Sequence, residues 1–166
     1  MEFTLRDFRP EDFEILWNID QRCFAPGIAY SRRELSIYVR RRQSFTVVAE
    51  SSSVNRKSQH SELVGFIVAE ANIRRVGHII SIDVLPDSRR FGVGSKLLGI
   101  AEERLQAANC RAVILETAVD NLSALSFYKR HQYHVIKAVP RYYSNGTDAL
   151  VLGKELATQA KVESTG

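Results

Sequence analysis

The stretch that most constrains the fold of this chain runs from an apolar strand, through a basic loop with two glycines, into an amphipathic helix. The strand is predicted at His78–Leu85 and the helix at Gly92–Ala108, where apolar residues recur at helical spacing. Between them, the sequence SRRFGVGSK (residues 88–96) places two arginines just before the glycines. A loop of this kind gathers backbone N–H groups at the start of a helix, where they favour an anion.

The remaining periodic segments place this unit inside a mixed sheet with helices on its faces. Before the unit come a short strand, two helices and two strands, and after it strands and a helix alternate. The predicted strands lie at 3–6, 45–50, 63–70, 111–117, 133–138 and 149–155, and the predicted helices begin at Pro10, at the capping box Ser31–Glu34 and at Asn121. The polar segment 51–61 is predicted as a mobile hairpin loop, and residues 157–166 as a disordered tail.

Length and composition limit the class of protein. A chain of 166 residues suits one domain, predicted over residues 1–156. The net charge of +4 fits an anionic small ligand, an acidic peptide or weak nucleic-acid contact, but by itself it falls short of a nucleic-acid signature. We therefore expect no nucleic-acid partner.

The same sequence argues against membrane, secreted and metal-binding classes. There is no run of 18 apolar residues, and the charged N-terminus lacks the apolar core of a signal peptide, so a cytoplasmic protein without membrane contact is expected. The two cysteines, Cys23 and Cys110, stand apart from any CxxC motif or histidine cluster. We expect ordinary thiols and no metal.

Three phosphate-binding arrangements compete for the glycine loop. A Walker A loop is excluded because Gly94-Ser95-Lys96 has its residues in the wrong order and lacks the upstream glycine. A dinucleotide loop fits Gly92 and Gly94, with Glu116 as the acid on the following strand, but Leu97 occupies the third glycine position.

The third arrangement is an Arg-x-x-Gly-x-Gly turn that opens a helix. Its backbone N–H groups would hold a pyrophosphate, with Arg90 and Ser95 beside the oxygens. A purely structural alternative stays open, in which the glycines only relax the joint between loop and helix.

At this point the residues resemble a known family. IDVLPDSRRFGVGSKLL, with Arg89-x-x-Gly92-x-Gly94, is similar to the acetyl-CoA loop of the GNAT superfamily of N-acetyltransferases. ILETAVDNLSALSFYKRHQY resembles the second signature of that family, with a glutamate that ends a strand and an N-x-x-A-x-x-x-Y helix. The segments CFAPGIAYSRREL and RYYSNGTDALVLGKEL resemble the branch that acetylates ribosomal-protein alanines and other protein N-termini. The resemblance covers residues 3–156 and implies a GNAT-like, mostly antiparallel sheet of about seven strands flanked by about four helices.

The resemblance also implies a co-substrate, acetyl-CoA, and residues that hold it. The pantetheine arm would lie along the strand segment Ile82-Asp83-Val84, where the N–H of Val84 would polarise the thioester carbonyl. Asn121 would bond the same arm. The pyrophosphate would rest on the loop formed by Arg89, Arg90, Phe91, Gly92, Val93, Gly94 and Ser95.

Acetyl transfer to an amine needs a base for the ammonium and an acid for the departing thiolate. In the resembling enzymes these roles fall to residues at the positions of Glu116 and Tyr128. The substrate would be clasped by Tyr142 and Tyr143 on one side of the cleft. Phe24, Ile28 and Tyr30 would line the opposite wall.

The predicted activity is transfer of acetyl from acetyl-CoA to the α-amino group of a protein N-terminus, by direct attack and without a covalent intermediate. Lysine or a small amine, such as a polyamine or an aminoglycoside, stays open as the acceptor. A CoA-sensing domain without turnover and a nucleotide-dependent oxidoreductase are alternatives of other classes. The expected assembly is a monomer or weak dimer.

Two features depart from the family pattern. His131-Gln132-Tyr133 replaces the usual Leu-Gly-Phe after the tyrosine helix, so the turn there must form without glycine, at a cost if a left-handed residue is needed. The 51–61 segment is longer than usual, so the edge of the substrate site is expected to differ.

Overall fold

The structure is a computed structural model that describes residues 1–52 and 61–157. The predicted hairpin tip and tail therefore lie almost wholly outside the described residues. The described residues form seven strands and four α-helices, in the predicted order. The strands are β1 (Phe3–Asp7), β2 (Ser44–Ser51), β3 (Glu62–Ala71), β4 (Val76–Val84), β5 (Ala112–Ala118), β6 (His134–Val139) and β7 (Ala149–Glu155). The helices are α1 (Phe13–Cys23), α2 (Arg32–Arg40), α3 (Val93–Ala107) and α4 (Leu122–Arg130).

The strands form one sheet in the order β1-β2-β3-β4-β5-β7-β6. Every neighbouring pair is antiparallel except β4 and β5, which are parallel. The predicted fold, a mixed and mostly antiparallel sheet with four helices, is confirmed.

Helices cover both faces of the sheet. On one face α3 buries Leu97, Leu98 and Leu105, at the helical spacing that predicted this helix, against β2, β3 and β4. On the other face α1 and α2 bury Leu16, Ile19 and Leu35. The N-terminus of α2 carries the predicted capping box, in which Ser31 Oγ accepts from the N–H of Glu34 (3.1 Å) and Glu34 Oε2 accepts from the N–H of Ser31 (2.8 Å).

The parallel pair β4 and β5 opens the sheet. Among the described residues, the pairing of these strands is confined to Val76–His78 of β4 and Ala112–Ile114 of β5. Beyond this point both strands continue, to Val84 and Ala118 respectively, without pairing to each other. The sheet therefore splits between its two halves and leaves a cleft at the carboxyl ends of the two strands.

The turn after α4 forms without glycine, as the sequence suggested it must. Gln132 adopts a left-handed conformation (φ 65°), and the N–H of Tyr133 donates to the carbonyl of Tyr128 (3.0 Å). This is the bonding of a helix C-terminus that usually carries glycine at the left-handed position.

Replacing Gln132 with glycine should therefore stabilise the protein. The Gln132 side chain is exposed, so its removal costs little stability. Glycine relieves the left-handed strain of the folded state, and this gain exceeds the entropy cost of the extra freedom that glycine has in the unfolded chain. We expect a gain of roughly 0.5–1 kcal/mol, seen as a rise of about 1–4 °C in Tm. Thermal unfolding of Gln132→Gly beside the parent protein measures it. A lower Tm would mean that the glutamine side chain makes a stabilising contact.

Candidate active site

The split in the sheet holds a cleft of about 1020 Å³. Its floor is β4 and β5, one end is the loop that starts α3, and one side is the start of α4. The loop between α1 and α2 and the segment before β7 close the other side. The cleft is thus long enough to expose a basic helix N-terminus at one end and aromatic side chains at the other.

Glu116 lies on β5 two residues past the last pair with β4, where the strands separate. Its Oε2 is 2.7 Å from Nε2 of His78, the last paired residue of β4. On the far side of the imidazole, Nδ1 of His78 is 4.0 Å from Oε1 of Glu70, and Glu70 pairs with Arg41 (3.2 Å). The glutamate on the cleft floor is therefore backed by a histidine that lies between two carboxylates.

The sequence reasoning missed His78. It does not line the cleft itself but stands behind Glu116, 38 residues away in the chain. Parallel pairing of the strands that carry these two residues would have indicated the contact, because residues near the same point of neighbouring strands lie side by side.

Tyr128 reaches the cleft from α4 and is buried. Its ring makes edge contacts with Phe127 (5.3 Å between centroids) and Tyr133 (5.7 Å), which fix its direction. Burial, followed by the nearby charge of Asp83, raises the pKa of the Tyr128 phenol above its ordinary value. The hydroxyl therefore keeps its proton at every pH at which a protein of this kind works.

The basic end of the cleft is a sharp turn that opens α3. Arg90 and Gly92 are both left-handed (φ 68° and 82°), and Gly92 is the N-cap. No described side chain caps this helix. The first-turn N–H groups of Val93, Gly94 and Ser95 thus have no side-chain cap among the described residues.

Two side chains brace this turn. Arg89 donates its Nε–H to the carbonyl of Val84 (2.9 Å), so it ties the loop to the end of β4. Ser95 Oγ lies 3.0 Å from Nε2 of His131, at the end of α4. The loop is therefore held between β4 and α4 in the conformation that gathers its N–H groups.

Asn121 caps α4, since its Oδ1 accepts from the N–H of Ala124 (3.2 Å). The amide nitrogen of the same side chain retains its donors, and the residue lines the cleft between β5 and α4. Capping thus fixes a donor on the side of the cleft opposite β4.

The wall formed by the α1–α2 loop is rigidly placed. The N–H of Tyr30 donates to Asp20 Oδ2 (2.7 Å), and its carbonyl accepts from Gln21 Nε2 (2.8 Å). The Tyr30 hydroxyl donates to the carbonyl of Ile80 (3.1 Å). Burial raises the pKa of its phenol. Phe24 and Ile28, from the same loop, also line the cleft.

The opposite wall carries Tyr142 and Tyr143, whose rings meet edge to face (4.9 Å). The tight turn after them joins the two walls, because Ser144 Oγ donates to the carbonyl of Gly27 (3.0 Å). A side chain at Gly27 would strike Asn145, its Cβ lying 2.6 Å from the Asn145 Cβ. The two loops therefore bridge the mouth of the cleft.

Every candidate residue from the sequence lines this cleft except Phe91, whose side chain is half-exposed on the outside of the turn. The residues that line it are Phe24, Ile28, Tyr30, Ile82, Asp83, Val84, Arg89, Arg90, Gly92, Val93, Gly94, Ser95, Glu116, Asn121, Tyr128, Tyr142 and Tyr143. Within residues 1–52 and 61–157 there is no group of three or more His, Cys, Asp or Glu placed to hold a metal ion. In the same ranges, no helix combines the length and apolarity needed to span a membrane.

Comparison with known proteins agrees with this geometry. The sequence model of the Acetyltransferase (GNAT) family matches residues 13–133. The chain belongs to the GNAT family. An N-alpha-acetyltransferase of Saccharolobus solfataricus is 26% identical over 158 residues, which are 93% of this chain and 94% of that protein. An N-acetyltransferase of Methanocaldococcus jannaschii is 37% identical over 94 residues, which are 56% of this chain and 60% of the relative.

Solved structures superpose on this GNAT protein over nearly its whole length. Ard1 from Thermoplasma volcanium superposes with a TM-score of 0.82 at 26% identity, covering 95% of this chain and 99% of that one. The ribosomal-protein-S18-alanine N-acetyltransferase of Escherichia coli shares the fold (TM-score 0.80, 17% identity, 97% and 98% covered). The chain spans about three fifths of the length of the curated relatives first matched, 60% and 64% for two of them.

Proposed function

We propose that this GNAT protein transfers the acetyl group of acetyl-CoA to the α-amino group of a protein N-terminus. The observation that carries the proposal is the placement of Glu116, backed by His78, and Tyr128 in the cleft where β4 and β5 separate. A carboxylate and a phenol in one cleft, next to an uncapped helix N-terminus, match the needs of amine acetylation.

The donor side fits acetyl-CoA. The pyrophosphate takes the free N–H groups at the start of α3, beside Arg90 and Ser95. The pantetheine arm takes the edge of β4 at Ile82-Asp83-Val84 that faces β5 and is not paired with it, with Asn121 opposite. When bound, acetyl-CoA supplies the activated acyl group, and the chain itself supplies its orientation.

The acceptor amine reaches the cleft as an ammonium ion and must lose a proton before it can attack. Glu116 takes this proton, directly or through a water, and His78 holds the carboxylate in place. The amine then attacks the thioester carbonyl and the C–S bond breaks. A second proton leaves the attacking nitrogen and ends on the CoA sulfur, and the Tyr128 hydroxyl stabilises the departing thiolate by a hydrogen bond. This chain thus supplies Glu116 for the attacking amine and Tyr128 for the departing thiolate.

The bridged mouth favours a chain end as the acceptor. Tyr30, Tyr142 and Tyr143 line the cleft at this end, and the Ser144–Gly27 contact bridges it on one side. Among the relatives, the Saccharolobus protein is named an N-alpha-acetyltransferase, and the NatC complex, which superposes at 26% identity and TM-score 0.78 (95% of this chain, 100% of that chain covered), was solved with a peptide and CoA. Lysine and small amines remain the alternative acceptors.

The first experiment is a thermal-shift titration of the purified protein with acetyl-CoA, NADH and ATP in parallel. A ligand that binds only the folded state stabilises it by about 2.7 kcal/mol at a hundred times its dissociation constant. We expect a shift with acetyl-CoA alone. A larger shift with NADH would favour the oxidoreductase alternative and overturn the acetyltransferase.

The acceptor is tested with matched peptides. We expect CoA release with a peptide whose N-terminus is free, and none with the same peptide already acetylated at its N-terminus but carrying a free lysine. Turnover with the second peptide would identify a lysine acetyltransferase. Binding of acetyl-CoA without turnover on free-N-terminus peptides, lysine peptides or polyamines would indicate a CoA-sensing domain.

A further inference from the structure

Two aspartates are buried where the α1–α2 side of the cleft meets β4. Asp20 lies in the last turn of α1 and is 0% exposed, and Asp83 lies near the end of β4 and is 1% exposed. Carboxylates are rarely found this deep, because burial of an unpaired charge is costly. Neither residue makes an ion pair shorter than 4 Å among the described residues.

One oxygen of each carboxyl group accepts hydrogen bonds from neighbouring groups. Asp20 Oδ2 accepts from the N–H of Tyr30 (2.7 Å) and from Gln21 Nε2 (3.3 Å), and Asp83 Oδ1 accepts from the hydroxyl of Ser81 (2.5 Å). The other two oxygens, Asp20 Oδ1 and Asp83 Oδ2, find no N–H or O–H donor in the described part of the chain. The two carboxyl groups are close enough for each to affect the pKa of the other, so a proton held between these two oxygens would give both of them a partner.

A hydrogen bond between two carboxyl groups requires one proton, because two carboxylates offer only acceptors. We infer that Asp20 and Asp83 share a single proton, and that this acid pair positions the α1–α2 wall of the amine site against β4. The positioning role rests on the proposed function, whereas the shared proton does not.

The pair can position the wall because Asp20 connects it to β4. Tyr30 is held by Asp20 at its N–H and by Ile80 at its hydroxyl, so β4 supports the residue from two directions. The contact between Asp20 and Asp83 connects the first of these two supports to β4. Loss of that contact leaves the Tyr30 backbone attached to α1 alone, while the Tyr30 hydroxyl and the Cys23 thiol, which donates to the Val84 carbonyl (3.4 Å), still link this side of the cleft to β4.

The charges around the pair favour one negative charge rather than two. Arg89 is the cation whose charge acts on Asp83, and its Nε–H already donates to the Val84 carbonyl. Glu34 of α2 adds negative potential at Asp20, while the Cys23 thiol, whose pKa burial raises to about 11, and the Tyr128 phenol remain neutral. A second carboxylate would stand unpaired in this setting.

Burial first, and then the charge of Asp20, raises the pKa of Asp83 well above its ordinary value. An unfolded aspartate titrates near pH 3.9, so the folded pair keeps a proton that the unfolded chain releases. The stabilisation is therefore complete below about pH 4 and is lost as the pH rises through the raised pKa.

The shared proton is tested by counting protons released on unfolding. Urea unfolding of the parent protein and of Asp83→Asn is measured between about pH 5 and about pH 8. The asparagine amide donates to Asp20 without needing a proton. The ratio of the parent's unfolding constant to that of Asp83→Asn should therefore rise about tenfold per pH unit until the pair ionises.

Asp87→Asn is the matched control, since Asp87 is exposed four residues away and lies outside the cleft. It should follow the parent protein at every pH. A constant ratio between the parent and Asp83→Asn would overturn the shared proton, and this arm needs no enzymatic activity.

The positioning role is tested by kinetics at Asp20. Asp20→Ala should raise KM for the peptide about tenfold, the usual result of losing a buried hydrogen-bonded link, while KM for acetyl-CoA changes less than about twofold. Asp20→Asn, which can still accept from Tyr30 and donate to Asp83, should restore the parent KM. Equal changes in both KM values, or no rescue by asparagine, would overturn the positioning role, whereas a parent protein without turnover would overturn the proposed function instead.

Discussion

Glu116→Gln is expected to lower kcat/KM for peptide acetylation by about 10²–10⁴-fold, the usual contribution of a general base. Glutamine has the same shape as glutamate, and its Oε1 can still accept from His78 Nε2, 2.7 Å away from the parent carboxylate. The substitution therefore removes the ability to take a proton and leaves the geometry in place. CoA release at saturating acetyl-CoA, with the peptide varied, measures the loss.

Two controls separate this effect from misfolding and from weaker binding of acetyl-CoA. Glu103→Gln alters an exposed glutamate on α3, outside the cleft, and should retain the parent rate. The thermal shift of Glu116→Gln with acetyl-CoA should equal that of the parent, because Glu116 lies on the acceptor side of the thioester. If Glu116→Gln keeps more than about a tenth of the parent kcat/KM, Glu116 is not the base.

The parts of the fold that sequence predicted well are those governed by local pattern. The leucines of α3 repeat at helical spacing, and the Ser31–Glu34 capping box marks the start of α2, so both helices were placed correctly. Glu116 and Tyr128 could be singled out because they belong to one continuous motif. Their common cleft depends on how β4 and β5 separate, but each residue is identified by its neighbours in the chain.

The parts that sequence did not predict depend on contacts between distant segments. His78 meets Glu116 only through the parallel pairing of β4 and β5. Asp83 was predicted only as part of a binding strand and Asp20 was not singled out, because no local pattern indicates that two acids 63 positions apart in the numbering (83 minus 20) will be buried together. Tertiary packing decided both pairs.

Tyr128→Phe is expected to lower kcat by about 10²–10³-fold, the loss seen when one preorganised donor to a developing negative charge is removed. The ring remains, so its edge contacts with Phe127 and Tyr133 are kept and the fold should not change. KM for acetyl-CoA should stay within about twofold of the parent, because the lost interaction forms only as the C–S bond breaks. Initial rates of CoA release, with each substrate varied in turn, give both constants.

Tyr133→Phe is the matched control for this substitution. It also removes a phenol from a buried aromatic ring, but the Tyr133 hydroxyl donates to Glu102 Oε1 (3.0 Å), and Tyr133 does not line the cleft. It should cost stability and leave kcat near the parent value. Equal losses of kcat in the two variants would show that packing of the aromatic cluster, and not the Tyr128 hydroxyl, supports the reaction.

The raised pKa of Tyr128 decides how its hydroxyl can act. A thiol has an ordinary pKa near 8.5, so a phenol whose pKa is raised above 10 is a weaker acid than the thiol that it would protonate. Complete transfer of the Tyr128 proton to the thiolate is therefore uphill, whereas a hydrogen bond from the neutral phenol stabilises the negative sulfur without moving the proton. As the pH rises from about 8 to about 10, we therefore expect the rates of the parent enzyme and of Tyr128→Phe to change in the same way. We expect no loss of rate that is present in the parent and absent from Tyr128→Phe. Such a loss would mean instead that the tyrosine ionises in this range and acts as a full acid.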